Sequence, residues 1–384
     1  HGKPYFERLV AIEDDMWARA TQDASHGPVP PNNSAQFPGD QLQVLCRLYT
    51  MTGDAKYLDW ADRIALSYLE NEQFAVTNLT DHGCEIIGGL GLWLGVTSER
   101  TPERAESYLP KLQRVLDGIV AAGLNPDGFM LTRVAPESGR HEGELSDNWG
   151  YNYVAFLCYD VAAGQKRYEP YIREALQSLG KPEYQNRKWG GPIDPKRNVP
   201  LVRLDQYADS IEGALYLIDR IPEPAAVAWA DREMARNVVF ADQPDKLWGT
   251  TKFDSNGVRT VVMHAMMHSG GILARPWQQG LRVGAQAVED SLAIVVESDA
   301  AWEGKLCFDK PRHRLFMGFR HDWPRMNTVP EWYVVEPERQ YTLAREGTDR
   351  KQRLRGQELI DGLPLNVHPG DTLRLFLCPA VVDE

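Results

Sequence analysis

Four short polar stretches carry the residue types that acid–base chemistry needs. The first runs Thr80-Asp81-His82-Gly83-Cys84-Glu85 and the second Ser146-Asp147-Asn148-Trp149-Gly150-Tyr151-Asn152-Tyr153. In the third, Arg203 and Asp205 lead into Tyr207-Ala208-Asp209-Ser210-Ile211-Glu212, and a later apolar run carries His264 and His268. Polar side chains recur there at helical spacing: His82 and Glu85 at i, i+3, Asp147 and Tyr151 at i, i+4, Asp209 and Glu212 at i, i+3. Each pair therefore shares one helix face. Taken singly, Asp81, Ser146, Asp147 and Asp209 read as N-caps, and acids in a first turn complement the helix dipole. A cap does not require a second polar group one turn later, and uncompensated polar groups on apolar helices are costly. The repetition reads as one shared wet cavity, with carboxyls, imidazoles and phenols available to move protons.

Other chemistries lack their signatures. His264-Ala-Met-Met-His268 places two imidazoles on one face at metal-like spacing. It lacks the Glu of HExxH and no third ligand is evident, so no metal is expected. The glycines form neither GxGxxG after a strand nor GxxxxGKS/T, and no GxSxG elbow occurs, so no nucleotide or other cofactor is expected. The five cysteines sit singly in apolar segments without a CxxC and read as buried thiols. One further stretch, RHDWPRMNTVPEWYVVE at 320–336, crowds Arg320, His321, Asp322, Trp323, Arg325, Asn327, Glu331 and Trp332 into a strand–loop–strand segment. It reads equally as a loop stapled by Trp packing and Arg–carboxylate pairs or as a functional loop at a domain interface.

The elements that must position these groups are helical up to about residue 275. Polar helices with a single apolar stripe are expected at about 4–20, 55–69, 102–122, 167–180 and 223–239, and belong on an outer surface. They alternate with apolar, inner-type helices at about 40–52, 81–95, 147–163, 206–220 and 258–274, of which that at 81–95 is apolar all round and must be buried. Gly88, Gly89, Gly91 and Gly95 in the second of these cost helix propensity, and close helix approach is the expected compensation. Five outer–inner pairs fit an α-solenoid or a closed α/α toroid. The long polar loops at 21–39, 123–146 and 181–205 favour the toroid, because long loops at one end of a scaffold build clefts. After about residue 288 short β-type runs follow (LAIVVES, KLCFD, HRLFMGF, EWYVVEP, QYTLAR and DTLRLFLCP), as in an antiparallel β-sandwich. Helices first and strands afterwards make an α+β multidomain chain, divided into an α/α toroid over 1–280 and a sandwich over 288–384.

Composition sets the outer bounds. The chain has 384 residues, 43% hydrophobic and 25% charged, an ordinary globular balance long enough for two domains. The net charge of −12 argues against nucleic acid as a main partner. No apolar run reaches the roughly 20 residues of a membrane span, so no membrane partner is expected. The opening HGKPYFERLV has no basic segment followed by an apolar one, as a signal peptide would. The 11 Trp, 15 Tyr and 11 Phe serve cores or stack on sugar rings.

The outer helix TGDAKYLDWADRI, the polar openings of the inner helices and the terminal strands together resemble the α/α-toroid, six-hairpin carbohydrate-active enzymes. These are glycoside hydrolases and the toroid-plus-sandwich polysaccharide lyases. The resemblance covers nearly the whole chain through its layout, with ten helices where a six-hairpin barrel has twelve. It implies cleavage of an oligo- or polysaccharide, uronic-acid-containing in one version. A hydrolase needs two carboxyls, for which Asp147 and Asp209 are the first pair and Glu85 and Glu212 the reserves. A lyase would draw on His82, Asn148, Tyr151, Tyr153, His264 and Arg203, although Asp81 stands where an Asn-His-Gly-like turn would have Asn. Trp149, Tyr151, Tyr153 and Tyr207 fall where a sugar could stack. A carbohydrate-binding helical scaffold and a toroid sugar epimerase are the remaining alternatives. A polysaccharide substrate implies a secreted or periplasmic protein whose leader has been removed, with the cytoplasm as the alternative.

Overall fold

The structure, a computed structural model, describes residues 2–21, 25–31, 36–80, 84–134, 143–187, 189, 193–194, 199–200, 204–235, 255–348 and 351–380. The chain divides into two compact units. The first comprises His1–Gly257 together with Phe319–Met326, and the second Val258–Gly318 with Asn327–Glu384.

The first unit is built from helices α1 (Lys3–Ala18), α2 (Gln36–Thr52), α3 (Ala55–Leu69), α4 (Glu85–Arg100), α5 (Pro102–Ala122), α6 (Trp149–Ala163), α7 (Glu169–Ser178), α8 (Pro182–Asn186), α9 (Leu204–Ile218) and α10 (Pro224–Glu233). A two-residue hairpin, β1 (Ile193–Asp194) with β2 (Val199–Pro200), precedes α9. Helix α3 shows how the outer elements are written: Asp54 caps it by accepting from the Lys56 N–H at 3.0 Å, and its apolar stripe, from Tyr57 through Ala61, Ile64 and Ala65 to Leu69, is buried. Helices α4 and α6 are the opposite case, buried over almost their whole length. Helices α2, α4, α6 and α9 pack against one another in series as an inner row. Outside them, α3 packs on α2 and α4, α5 on α4 and α6, and α10 on α9. This is the two-layered, alternating order of an α/α toroid.

The inner row is drawn together by glycine. A Cβ on Gly91 would lie 2.8 Å from the Ala155 Cα of α6, closer than any real contact. Gly150 and Gly213 face each other across α6 and α9, where an added Cβ on Gly150 would come within 2.4 Å of the Gly213 carbonyl carbon. Only a residue without a side chain lets these backbones meet, and the burial gained offsets the propensity lost.

The second unit holds most of α11 (Ser255–Ser269), then β3 (Leu273–Arg275), β4 (Leu281–Val288), β5 (Ser291–Ser298), β6 (Trp302–Cys307), α12 (Arg312–Met317), β7 (Gln340–Arg345), β8 (Lys351–Arg355), α13 (Gly356–Asp361), β9 (Leu363–Val367) and β10 (Thr372–Pro379). The strands form antiparallel sheets ordered β4-β5-β10-β7-β8 and β3-β6-β9. Strict alternation buries Leu292, Ile294 and Val296 of β5 and Leu373, Leu375 and Leu377 of β10. They share a core with Trp302 and Leu306 of β6 and Leu363 and Val367 of β9.

Four sequence expectations differ from this structure. The division at 280 and 288 does not coincide with the units: residues 319–326 go with the helices, and α11 from Val258 onward goes with the strands. HRLFMGF forms the short helix α12 instead of a strand. Its Leu315 and Phe316 are exposed, so no alternation drives a strand there. Arg312 is tied to Asp309 at 3.0 Å and the His313 N–H to Glu331 at 2.8 Å, and Gly318 ends the helix in the left-handed region, φ 64°. EWYVVEP makes only an isolated bridge, Asp309 with Val334. Residues 281–287, which fall between the two expected domains, belong to β4, which pairs with β5 along its whole length through the tight turn at Glu289-Asp290.

Candidate active site

The site is assembled where the first turns of α4 and α6 meet the middle of α9. Ser146 pins the entry to α6: its N–H donates to Met130 O at 2.9 Å, its hydroxyl to Leu79 O at 2.5 Å, and its oxygen accepts from the Asn148 N–H at 3.1 Å. Asn148 is the N-cap and makes no side-chain cap bond. Asp147 is therefore not a cap. Its Oδ1 instead accepts from the Thr80 hydroxyl at 2.8 Å. Asp209 lies inside α9 rather than at its end, so capping does not explain it either.

The Gly150–Gly213 contact brings α6 and α9 close enough for short side chains to bridge them. Ser210 Oγ donates to Asp147 O at 3.0 Å, and Asn148 Nδ2 to Asp209 Oδ2 at 3.2 Å. Neighbours in one sequence thus grip neighbours in the other, and the Asp147 and Asp209 carboxyls are both half-buried at one seam. One turn deeper the Tyr151 hydroxyl donates to Glu212 Oε2. Glu212 is wholly buried. From α2, Gln43 Nε2 donates to Glu85 Oε2 at 2.5 Å. The Cys84 thiol reports on this company: burial lifts it well above its ordinary range, the charges of Glu85, Asp209 and Asp147 add to that, and Arg325 opposes them.

Arg325 enters from the returning segment 319–326. Its backbone is left-handed, φ 61°, a conformation a non-glycine residue adopts only when its surroundings hold it there. Arg47 Nη2 grips its carbonyl at 3.0 Å, and its guanidinium carbon lies 4.1 Å from the centre of the Tyr151 ring. Burial would weaken its proton affinity, but Tyr151, Tyr216, Glu85 and Cys84 outweigh that and raise it. Arg47, beneath it, is pushed down to about 10 by burial and then by the Arg325 charge.

The segment itself is clamped by Glu99, at the C-terminal end of α4. This carboxylate accepts from the Arg320 N–H at 2.9 Å, the His321 N–H at 3.0 Å, His321 Nδ1 at 2.9 Å, Arg320 Nε at 3.3 Å and Trp323 Nε1 at 3.0 Å. Arg220 holds Asp322 at 2.5 Å. Trp323 lies over Gly95, where a Cβ would touch its ring at 3.0 Å.

Of the residues expected from sequence, Asp147, Asp209, Glu85, Glu212, Tyr151 and Asn148 come together here. Trp149 and Tyr153 do not face this cluster, which corrects their expected role in sugar stacking. Trp149 is fully buried against Phe129 (ring centres 5.1 Å apart) and Trp189. Tyr153 is fully buried with its hydroxyl on Gly128 O at 2.5 Å, because they point from α6 toward the outer layer. Tyr207 is buried in the first turn of α9. His264 belongs to the second unit, where its ring stands edge-on to that of His268 at 4.7 Å. Expected residues His82 and Arg203 lie outside the described residues. Arg325, Gln43 and Thr80 were missed as site residues. The crowding of charged and aromatic residues at 320–336 was the signal for Arg325, but nothing local in that stretch says that it joins α6.

No family model matches the chain, and no curated protein does. Among solved structures, the chain is similar to an unsaturated glucuronyl hydrolase, responsible for the degradation of glycosaminoglycan, from Bacillus sp. GL1. That match has 16% identity and a TM-score of 0.41, and covers 59% of this chain and 66% of the other, just under two thirds of its length. A glycosyl hydrolase family 88 protein from Bacteroides vulgatus is similar at 17% identity and a TM-score of 0.43, over 66% of this chain and 77% of the other.

Proposed function

We propose that the helical unit cleaves glycosidic bonds in an oligo- or polysaccharide containing uronic acid, by hydrolysis with the two carboxyls Asp147 and Asp209. The observation that carries this reading is the α6–α9 seam: two half-buried carboxyls, neither of them a helix cap, each held by a hydroxyl or amide donor. Glycoside hydrolysis needs one carboxyl to protonate the leaving oxygen and one to act as base or nucleophile. Glu212, wholly buried and bonded to Tyr151, orients that tyrosine. Arg325 supplies a fixed positive charge over the Tyr151 ring and near Glu85, suited to a uronate carboxylate. A substrate of this kind favours a secreted or periplasmic enzyme.

The test is a panel of acidic and neutral saccharides assayed for reducing ends. Asp147→Asn and Asp209→Asn are each expected to lower kcat by about 10²–10⁴-fold, the usual worth of a general acid or base, with the helical circular dichroism unchanged. Full activity in both variants refutes the assignment. One observation favours a second reading: Tyr151 pairs with Glu212 beneath Arg325, an arrangement that also suits a lyase, with a phenol to move the C5 proton and an arginine to neutralise the sugar carboxylate. That reaction yields an unsaturated product absorbing in the ultraviolet, which hydrolysis of an intact polymer does not.

A further inference from the structure

Three stretches in front of the inner helices, 77–80, 130–134 and 144–146, are knitted into a small wall by backbone bonds. The Leu79 N–H donates to Thr132 O at 3.1 Å, Val134 to Thr77 O at 3.1 Å, Thr132 to Glu144 O at 2.8 Å and Ser146 to Met130 O at 2.9 Å. Bridges pair Asn78 with Arg133 and Leu131 with Leu145. The wall carries an open groove of about 740 Å³ whose lining includes Thr77, Asn78, Thr80, Thr132, Arg133 and Glu144. That volume lies within the roughly 300–1,000 Å³ of small-molecule sites.

The lining is unusual for what it offers. Three threonine hydroxyls and an asparagine amide stand beside an exposed arginine that has no ion-pair partner among the described residues. Hydroxyls and amides in a backbone-fixed wall match the hydroxyl-rich face of a sugar, and their placement costs no reordering on binding. One wall of the groove also touches the chemistry directly: Thr80 is both a lining residue and the donor to Asp147 Oδ1. Asp147 therefore stands at the boundary between this groove and the seam with Asp209, Tyr151 and Arg325.

We infer that the groove is a second saccharide subsite. It holds the sugars beyond the scissile bond, reached from Asp147 past Thr80, with Arg133 as its specificity-determining cation. This inference rests on the glycosidase reading above and adds to it that the enzyme is built for chains longer than a single glycosidic unit. Binding energy from such remote sugars is what positions the reacting bond.

The experiment compares kcat/KM for a 4-nitrophenyl uronide with that for oligouronides of two to six residues, in the wild type, Arg133→Ala and Arg133→Glu. Arg133 is exposed, so the variants are expected to keep their fold, checked by circular dichroism. In the wild type kcat/KM should rise with chain length. Arg133→Ala should lose about tenfold on oligomers relative to the aryl substrate, mainly through KM, and Arg133→Glu more. A wild type indifferent to chain length, or variants whose losses are equal on both substrates, overturns the subsite. If the wild type turns over no saccharide at all, the glycosidase reading fails on its own. Calorimetric titration with the same oligouronides then decides the groove: binding weakened by Arg133→Ala upholds it, and binding that is absent or unaltered overturns it.

Discussion

Glu99→Gln should destabilise the helical unit far more than its place at a helix end implies. The Glu99 side chain is 1% exposed and accepts from Arg320, His321 and Trp323. Burial pulls its pKa upward, but these donors overcome that and hold the carboxyl at about 2, against an ordinary 4.5. At about 1.4 kcal/mol per pH unit the displacement corresponds to about 3 kcal/mol, which solvent around the exposed Arg320 and His321 side chains reduces to about 2 kcal/mol. A depressed carboxyl contributes this stability above its unfolded pKa and loses it as pH falls toward the folded value. The contribution is thus complete at pH 7 and fades between about pH 4.5 and pH 2. Thermal unfolding followed by tryptophan fluorescence should show Glu99→Gln melting about 4–8 °C below the wild type at pH 7, at about 2–4 °C per kcal/mol. The gap should narrow as the pH is lowered through 4. A variant within about 1 °C of the wild type at pH 7, or a gap that widens in acid, would refute the reasoning.

Three further outcomes follow from the geometry. Gly150→Ala should lower stability by about 2–4 kcal/mol in urea titrations, because its Cβ would press on the Gly213 backbone, which cannot give way. Arg325→Met should raise KM for uronides about 10- to 100-fold while sparing neutral glycosides, and Arg325→Lys should recover only part, since a lysine keeps the charge without the planar fork. Tyr153→Phe, which removes only the bond to Gly128 O, should cost about 1 kcal/mol in urea titrations; a kcat/KM equal to that of the wild type would confirm that this tyrosine serves the core.

Periodicity carried most of the helical layer. The stripe from Tyr57 to Leu69 became an outer helix and the apolar run at 81–95 an inner one, α4, which starts at Glu85 and runs on to Arg100. The glycine cost in that inner helix was repaid by close approach, as at Gly91 with Ala155. The polar pairs were legible in part: Asp209 and Glu212 lie on α9 and Tyr151 on α6, whereas Asp147 stands in the turn before the N-cap Asn148. What could not be read was anything set by a contact distant in sequence. Trp149 and Tyr153 share a short stretch with Tyr151, and only packing on Gly128, Phe129 and Trp189 separates them from it. Arg325 lies more than a hundred residues beyond α9, and its left-handed backbone is dictated by the clasp on Glu99 and by Arg47. In the strands, alternation identified β5 and β10, whereas β4 was hidden by its partial exposure and α12 by three consecutive apolar residues that mimic a strand.

Because Phe319–Met326 belongs with the helices, the first unit is not finished when its last helix has been made. A ribosome that has just passed Gly257 has still to produce all of Val258–Gly318 before the piece that covers Gly95 and caps Tyr151 emerges. At about 5–20 residues per second this is a delay of roughly 3–14 s. During that interval the Gly95 face and the Glu99 carboxylate are without the partners they have in the native state, an opening that chaperones or proteases can read. Completion of the helical layer is thereby made to wait on synthesis of β3 to β6.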